Sequence, residues 1–310
     1  MPRVTICLPV YNCEQSIDAS IASALEQSYG DFECLVVDNA STDSTLDHVM
    51  AFNDPRIRVM RNNENVGPNE NHNICIKHAR GALIQFLHSD DRLLPNCLAR
   101  LVPTFGNPRV GLAFARRRIE SSNSGWASRF AELHTPLEPL EQINNGVNII
   151  RKYVDKGAKG NWIGEPTSVM VRRSVLMEVG GFRPELRYSD DMELWLRILA
   201  RSDAAWVDAE LSVRTQEETT LTILYATTDA AWLDRVWILS GLACNQDLER
   251  SIRMKARRQW VVAISKKAIR VQLGPREIRR AKNKQLGRHV RQSLSSNPPS
   301  NTVSLVCERN

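Results

Sequence analysis

The sequence predicts an α/β protein, with a Rossmann-like, mostly parallel sheet flanked by helices and a helical, basic extension at its C-terminal end. Three observations predict it. Strand-like and helix-like segments alternate at short spacing through the first half, as βα units around a parallel sheet require. Val4–Val10 is a nearly unbroken apolar run, the pattern of a strand covered on both faces. Residues 250–291 carry 15 Lys/Arg against one acid, Glu277, yet keep Trp260, Val261, Val262, Ile264 and Ile269 interleaved, which reads as helix more than as a disordered basic arm.

Each element follows in order. After the first strand, Ile17, Ile21 and Leu25 recur at helical spacing. Leu35-Val36-Val37 is the second strand and ends at Asp38; Leu46, Val49 and Met50 mark a helix whose start is signalled by Ser41, Thr42 and Asp43. Ile57–Met60 is a third short strand. A polar segment leads to the fourth, Leu83–Leu87, which stops abruptly at His88-Ser89-Asp90-Asp91, and Pro95 suits the first turn of the next helix. Val110–Ala115 is a fifth strand. Residues 116–160 have weak periodicity and read as long loops and short helices able to cover a site. A strand returns at Thr167–Val171, then a helix from Ser174, a Gly180-Gly181 break, an amphipathic helix at Asp191–Ala200 and a closing strand at Ala205–Val207. From about 227 the pattern is helical, and 294–310, rich in Ser, Asn and Pro, reads as a frayed tail.

Composition narrows the class. The chain has 310 residues, 42 % apolar and 25 % charged, which excludes fibre and wholesale disorder. No stretch approaches the roughly 18 apolar residues of a membrane span, and the N-terminus lacks a secretory apolar region, so synthesis is expected to end in the cytosol. Seven cysteines without CxxC spacing argue against disulfides and structural zinc. The net charge of +6 divides into +14 within 250–291 and −8 elsewhere. An anionic membrane surface or nucleic-acid phosphates are the partners such a basic face can meet; a solvated helical face is the plain alternative.

In an open parallel sheet, ligands bind beyond the carboxyl ends of the strands. Three polar clusters fall there: Pro9-Val10-Tyr11-Asn12, Asp38-Asn39-Ala40-Ser41 and His88-Ser89-Asp90-Asp91. Neither GxGxxG nor GxxxxGK[ST] is present to cradle phosphates, so a carboxylate-held Mg2+ or Mn2+ is the available counter-charge for a diphosphate. Structural readings stand beside these. Asp38 and Asp43 suit a helix cap, Asp90 and Asp91 a turn before Pro95, Asp190 and Asp191 a helix N-terminus, and His72 and His88 ordinary hydrogen-bonded positions.

Together with Asn65-Val66-Gly67, Phe86-Leu87 before His88, Gly180-Gly181-Phe182 and Asp190-Asp191-Met192-Glu193-Leu194-Trp195, these motifs resemble the family 2 glycosyltransferases of the GT-A fold, in order and in spacing over residues 3–215. The resemblance implies an inverting transfer from a nucleotide sugar. It places Pro9, Tyr11, Asp38 and Asn39 at the nucleobase, Asn39 standing where members usually carry a second acid. Asp90 matches the last acid of the metal-binding DxD and His88 replaces the first, leaving Asp90 as the metal ligand, with His88 and Asp91 in support. Asp191 falls at the catalytic base, with Asp190 before it; Asn65 and Gly67 complete the supporting set.

The resulting expectation is a Mn2+- or Mg2+-dependent enzyme taking a nucleotide sugar, a UDP-sugar first, to a glycan or lipid-linked saccharide. It would work in the cytoplasm, peripheral at the inner face of the membrane. Residues 1–220 would form the catalytic domain, 221–293 the basic helical extension and 294–310 a disordered tail. The rivals are a sugar-phosphate nucleotidyltransferase, whose Gly-rich phosphate loop is missing, and a nucleic-acid-binding protein using 250–291, which would leave the acidic clusters unexplained.

Overall fold

The computed structural model describes residues 1–121, 133–216, 229–273, 285–291 and 293. The first half comprises β1 (Val4–Val10), α1 (Ile17–Leu25), β2 (Phe32–Asp38), α2 (Thr45–Ala51), β3 (Ile57–Arg61), α3 (Pro68–His78), β4 (Leu83–Phe86), β5 (Arg92–Leu93) and α4 (Cys97–Leu101). Then come β6 (Val110–Glu120), β7 (Ile143–Asn144), α5 (Gly146–Asp155), β8 (Val169–Arg172), α6 (Arg173–Val179), α7 (Asp190–Leu199) and β9 (Asp203–Thr215). Two helices close the described chain, α8 (Ala230–Cys244) and α9 (Arg250–Leu273).

Among the described residues the strands form one nine-stranded sheet in the order β3-β2-β1-β4-β8-β6-β9-β5, with β7 on β9. β1 runs parallel to β2 and β4, and β2 to β3. β8 enters antiparallel between β4 and β6, and β6 again runs parallel to β9. The parallel register sets Val10 beside Asp38, so the ends of β1, β2 and β4 share one edge. The apolar run of β1 divides between two cores. Val4, Ile6, Leu8 and Val10 face α1 and α4, while Cys7 joins the larger core under α3, α5 and α7.

Several elements exceed their sequence signal. β6 and β9 continue well past Ala115 and Val207, because pairing between them carries both through polar residues such as Arg116–Glu210 and Arg117–Ser212. The 116–160 region, expected as loops and short helices, includes the end of β6 and the ten-residue α5, whose Ile149, Ile150, Tyr153 and Val154 are buried. α3 lies in the segment that read as merely polar. Its asparagines replace apolar packing: Asn71 Nδ2 donates to the Val37 carbonyl (3.0 Å), and Asn69 Nδ2 to the carbonyls of Arg183 and Leu186 (2.9 Å each). Asn73 pairs with both backbone groups of Phe182, an approach so close that a Cβ on Gly181 would meet Asn73 Oδ1 at 2.4 Å.

The helical part of 221–293 is joined to the sheet domain rather than appended to it. Ile238, Leu239, Leu242, Leu248, Ile252 and Ala256 belong to the same buried cluster as α5 and α7. The expected boundary at 220 and the expected tail at 294–310 lie outside the described residues. Beyond Ala256, α9 is more exposed, with Val261, Val262 and Ile269 at the surface.

Candidate active site

The loops after β1 and β2 are laced together. Asn12 and Ala40 both take positive φ, 46° and 60°, which turns the chain sharply at each strand end. Asn12 N donates to Ser41 Oγ (3.0 Å), and Thr42 N to Asn12 Oδ1 (2.8 Å). Asp38 is fully buried; it accepts from Ser41 N and from Arg61 Nε, the latter at 3.1 Å. Asn39 is equally committed. Its Oδ1 accepts from Val66 N and Asn62 Nδ2 (3.0 Å each), and its Nδ2 donates to Asn65 Oδ1 (2.9 Å). Asn65 Oδ1 also takes Gly67 N, and Gly67, at φ 87°, leads into α3. Pro9, Tyr11, Asp38, Asn39, Asn65 and Gly67 thus do gather at one edge. Tyr11, 46 % exposed, offers a surface there, while Asp38 and Asn39 spend their polar groups shaping the loops.

The second cluster follows β4. His88, Asp90 and Asp91 bring one ligand atom each within 4.8 Å of one another. Asp90 is exposed and Asp91 buried. Asp91 is anchored: Oδ2 accepts from the Thr167 hydroxyl (2.7 Å) and Oδ1 from Thr215 N (3.0 Å). The same Thr167 oxygen accepts from His88 N (3.1 Å). Burial, reinforced by Asp90, holds the Asp91 carboxyl well above the ordinary range, so a bound cation would relieve an existing electrostatic cost. Two carboxylates and an imidazole converging within this span fit a divalent cation of the Mn2+ or Mg2+ kind. Behind them His72 Nε2 lies 3.2 Å from His88 Nε2, and His72 Nδ1 2.8 Å from the Pro68 carbonyl. Burial drives the His72 pKa down to about 3 and lowers that of His88 as well.

The third cluster is the N-terminus of α7. Asp191 Oδ1 accepts from Met192 N and Oδ2 from Asn161 Nδ2, both at 2.6 Å. Burial first, then the Asp190 charge, raises Asp191 to about 8, and burial raises Asp190 to about 6. The loop before α7 is held by Asp234 of α8, whose Oδ2 accepts from the N–H groups of Arg187, Tyr188 and Ser189 (3.1, 2.6 and 2.8 Å). Between the acidic clusters sits Glu165, paired with Arg117 (2.7 Å) and Arg214 (3.2 Å). The two guanidiniums overcome the cost of burial and hold Glu165 near 2. The charges of Glu165, Asp91, Asp191 and Asp90 in turn hold the Arg214 guanidinium above its ordinary range.

Sequence reasoning missed Asn161, Glu165, Thr167, Arg117, Arg214 and Asp234. No local signal singled them out: Arg117 falls in the region that reads as loops and Arg214 beyond the expected closing strand.

A parallel half-sheet ending in such a cluster, faced by carboxylates on a helix N-terminus, is an arrangement with counterparts among solved structures. Structural comparison agrees: Staphylococcus aureus TarS residues 1–349, solved with UDP-GlcNAc, aligns at TM-score 0.64 and 18 % identity over 94 % of this chain and 91 % of that one. The Pyrobaculum calidifontis mannosyltransferase PcManGT, solved with GDP-Man and Mn2+, aligns at 0.60 and 19 % identity over 95 % and 81 %. Residues 5–180 match the model of glycosyl transferase family 2, and the chain belongs to that family. The Mycobacterium tuberculosis protein MT1568 is 40 % identical over 84 % of this chain and 82 % of its own. Escherichia coli WfgD, a UDP-Glc:alpha-D-GlcNAc-diphosphoundecaprenol beta-1,3-glucosyltransferase, is 36 % identical over 39 % of this chain and 48 % of its own. No helix among the described residues is long and apolar enough to cross a membrane.

Proposed function

We propose that this glycosyltransferase moves a sugar from a UDP-sugar to a hydroxyl of a glycan or lipid-linked saccharide, in surface polysaccharide or glycolipid synthesis, by one inverting displacement. The observation that carries it is that one segment, 161–167, holds both clusters, Asn161 Nδ2 donating to Asp191 and the Thr167 hydroxyl to Asp91: leaving-group and base chemistry meet in one site. Relatives support the substrate class, since WfgD is named for UDP-Glc and a diphosphoundecaprenol acceptor and Bacillus subtilis TuaG for teichuronic acid biosynthesis.

The nucleoside rests against Pro9 and Tyr11, in a seat whose walls Asp38, Asn39, Asn65 and Gly67 fix. Asp90, with His88 and Asp91, would hold Mn2+ or Mg2+, which would supply positive charge against a departing diphosphate. Asp191 takes the proton of the acceptor hydroxyl as that oxygen attacks the anomeric carbon. Asn161 fixes the rotamer of the base, and Asp190 keeps its proton affinity high. The exposed outer face of α9, with Met254, Val261, Val262 and Ile269 among Arg257, Arg258 and Lys266, supplies a peripheral contact with anionic lipid, near a lipid-linked acceptor.

A screen of nucleotide sugars for Mn2+-dependent release of nucleoside diphosphate tests the activity. Turnover of a UDP-sugar that EDTA abolishes is the expected result. Equal turnover with EDTA, or none with any donor and a saccharide-lipid acceptor, would overturn it.

A further inference from the structure

We infer that His88 is a nitrogen ligand of the cation site through Nδ1, in a tautomer imposed by His72, which makes His72 a positioning residue for the metal. The inference rests on the metal-dependent function proposed above and adds the identity of a donor atom.

The protons can be followed along the hydrogen bonds. The Pro68 carbonyl can only accept, so the 2.8 Å contact to His72 Nδ1 puts a hydrogen on that nitrogen. His72 is buried and packed against Phe86 and Phe182, with ring centroids 5.6 and 4.8 Å away; no carboxylate contacts its ring among the described residues. An uncharged imidazole protonated at Nδ1 presents a lone pair at Nε2. Its partner there, His88 Nε2 at 3.2 Å, must then be the donor. With its hydrogen at Nε2, neutral His88 carries its lone pair at Nδ1.

That lone pair meets an electron-rich neighbour. His88 Nδ1 stands 3.7 Å from Asp91 Oδ2, beyond hydrogen-bond range, and that oxygen already accepts from Thr167. The Nδ1 lone pair and this oxygen face each other across a gap that no hydrogen bond closes, and a cation seated between them can take both as ligands. Asp90 closes the third side within the same 4.8 Å span. The relay carbonyl–His72–His88–metal is the arrangement by which proteins fix the tautomer and aim of a ligating imidazole.

A consequence for specificity follows. An imidazole where a carboxylate would otherwise stand lowers the negative charge of the site and adds a softer donor, so the site favours transition-metal dications over Mg2+.

The tautomers can be read in the full-length protein without metal, from long-range 1H–15N correlation spectra. The expected pattern is Nδ1–H for His72 and Nε2–H for His88; a His88 protonated at Nδ1 overturns the inference. Mn2+ is then titrated, with and without UDP, and followed by electron spin-echo spectroscopy. Nitrogen coupling to bound Mn2+ is expected, and it should vanish in His88→Asp, which should still bind Mn2+ and bind Mg2+ better than the natural protein does. His72→Phe keeps the aromatic packing but removes the acceptor and should weaken Mn2+ binding about ten- to a hundredfold. His72→Gln, whose amide oxygen can accept from His88, should restore most of it, and carries the test if the Phe variant does not fold. Mn2+ bound without nitrogen coupling overturns this inference and leaves the metal-dependent function standing. No Mn2+ binding under any condition overturns both.

Discussion

Asp191 is expected to govern the pH dependence of the reaction. Its two 2.6 Å hydrogen bonds favour the carboxylate, but burial and the adjacent Asp190 charge prevail and place its pKa at about 8. A base works only when unprotonated, so at pH 7 about one tenth of the free enzyme is competent. kcat/KM should therefore climb about tenfold from pH 6 to pH 7 and level off above pH 8. Asp190→Asn removes the second-largest cause of the shift and should slide this limb to lower pH with turnover retained. Asp191→Asn should lose about 10²–10⁴-fold in turnover at unchanged donor affinity. Stability gives an independent check. The folded state holds the Asp191 proton more tightly than the unfolded chain, so the contribution of Asp191 to stability is greatest below pH 4 and falls as pH rises toward 8. The Asn variant should consequently melt higher than the natural protein at pH 8. The assay is nucleoside diphosphate release across buffers from pH 6 to 9, with calorimetry for donor binding. A flat profile, an unmoved limb in Asp190→Asn, or an active Asp191→Asn would refute the assignment of the base.

Asp90→Asn should weaken UDP-sugar binding in Mn2+ but not in EDTA, by calorimetry, because only the cation-linked part of the affinity is lost. Glu165→Gln leaves Arg117 and Arg214 without their counter-charge and should cost about 3–5 kcal/mol in urea unfolding. With Glu165 held near 2, its contribution is full above about pH 4.5 and is lost as pH falls through 2, so the variant's deficit should shrink in acid. Replacing Arg257, Arg258 and Lys266 together by Glu should abolish co-sedimentation with anionic vesicles at low salt while nucleotide binding persists. Unchanged sedimentation would remove α9 from the membrane.

The sequence announces what obeys a local rule. The apolar run of β1, the stops at Asp38 and His88, and the helix at Asp191 are each written in neighbouring residues, and the motif order points to the family. What escaped depends on distant partners. α3 lacks an apolar stripe because Asn69, Asn71 and Asn73 bind backbone carbonyls over a hundred residues away or across the sheet. Arg117 falls in a region that reads as loop until Glu165 is beside it. Asp38 and Asn39 lie at the end of β2, yet their hydrogen bonds run to Ser41 and Arg61 and to the 62–66 loop, which no pattern of residue types conveys.

The three N–H groups that Asp234 receives belong to residues made 45 to 47 positions earlier. During synthesis, the loop that aims α7 stays uncapped until α8 has left the ribosome. The sheet and the edge formed by β1 and β2 can assemble on the nascent chain, but the start of α7, with Asp191, cannot be set before the closing helices dock. With Asp191 as the base proposed above, catalytic competence is acquired late and all at once.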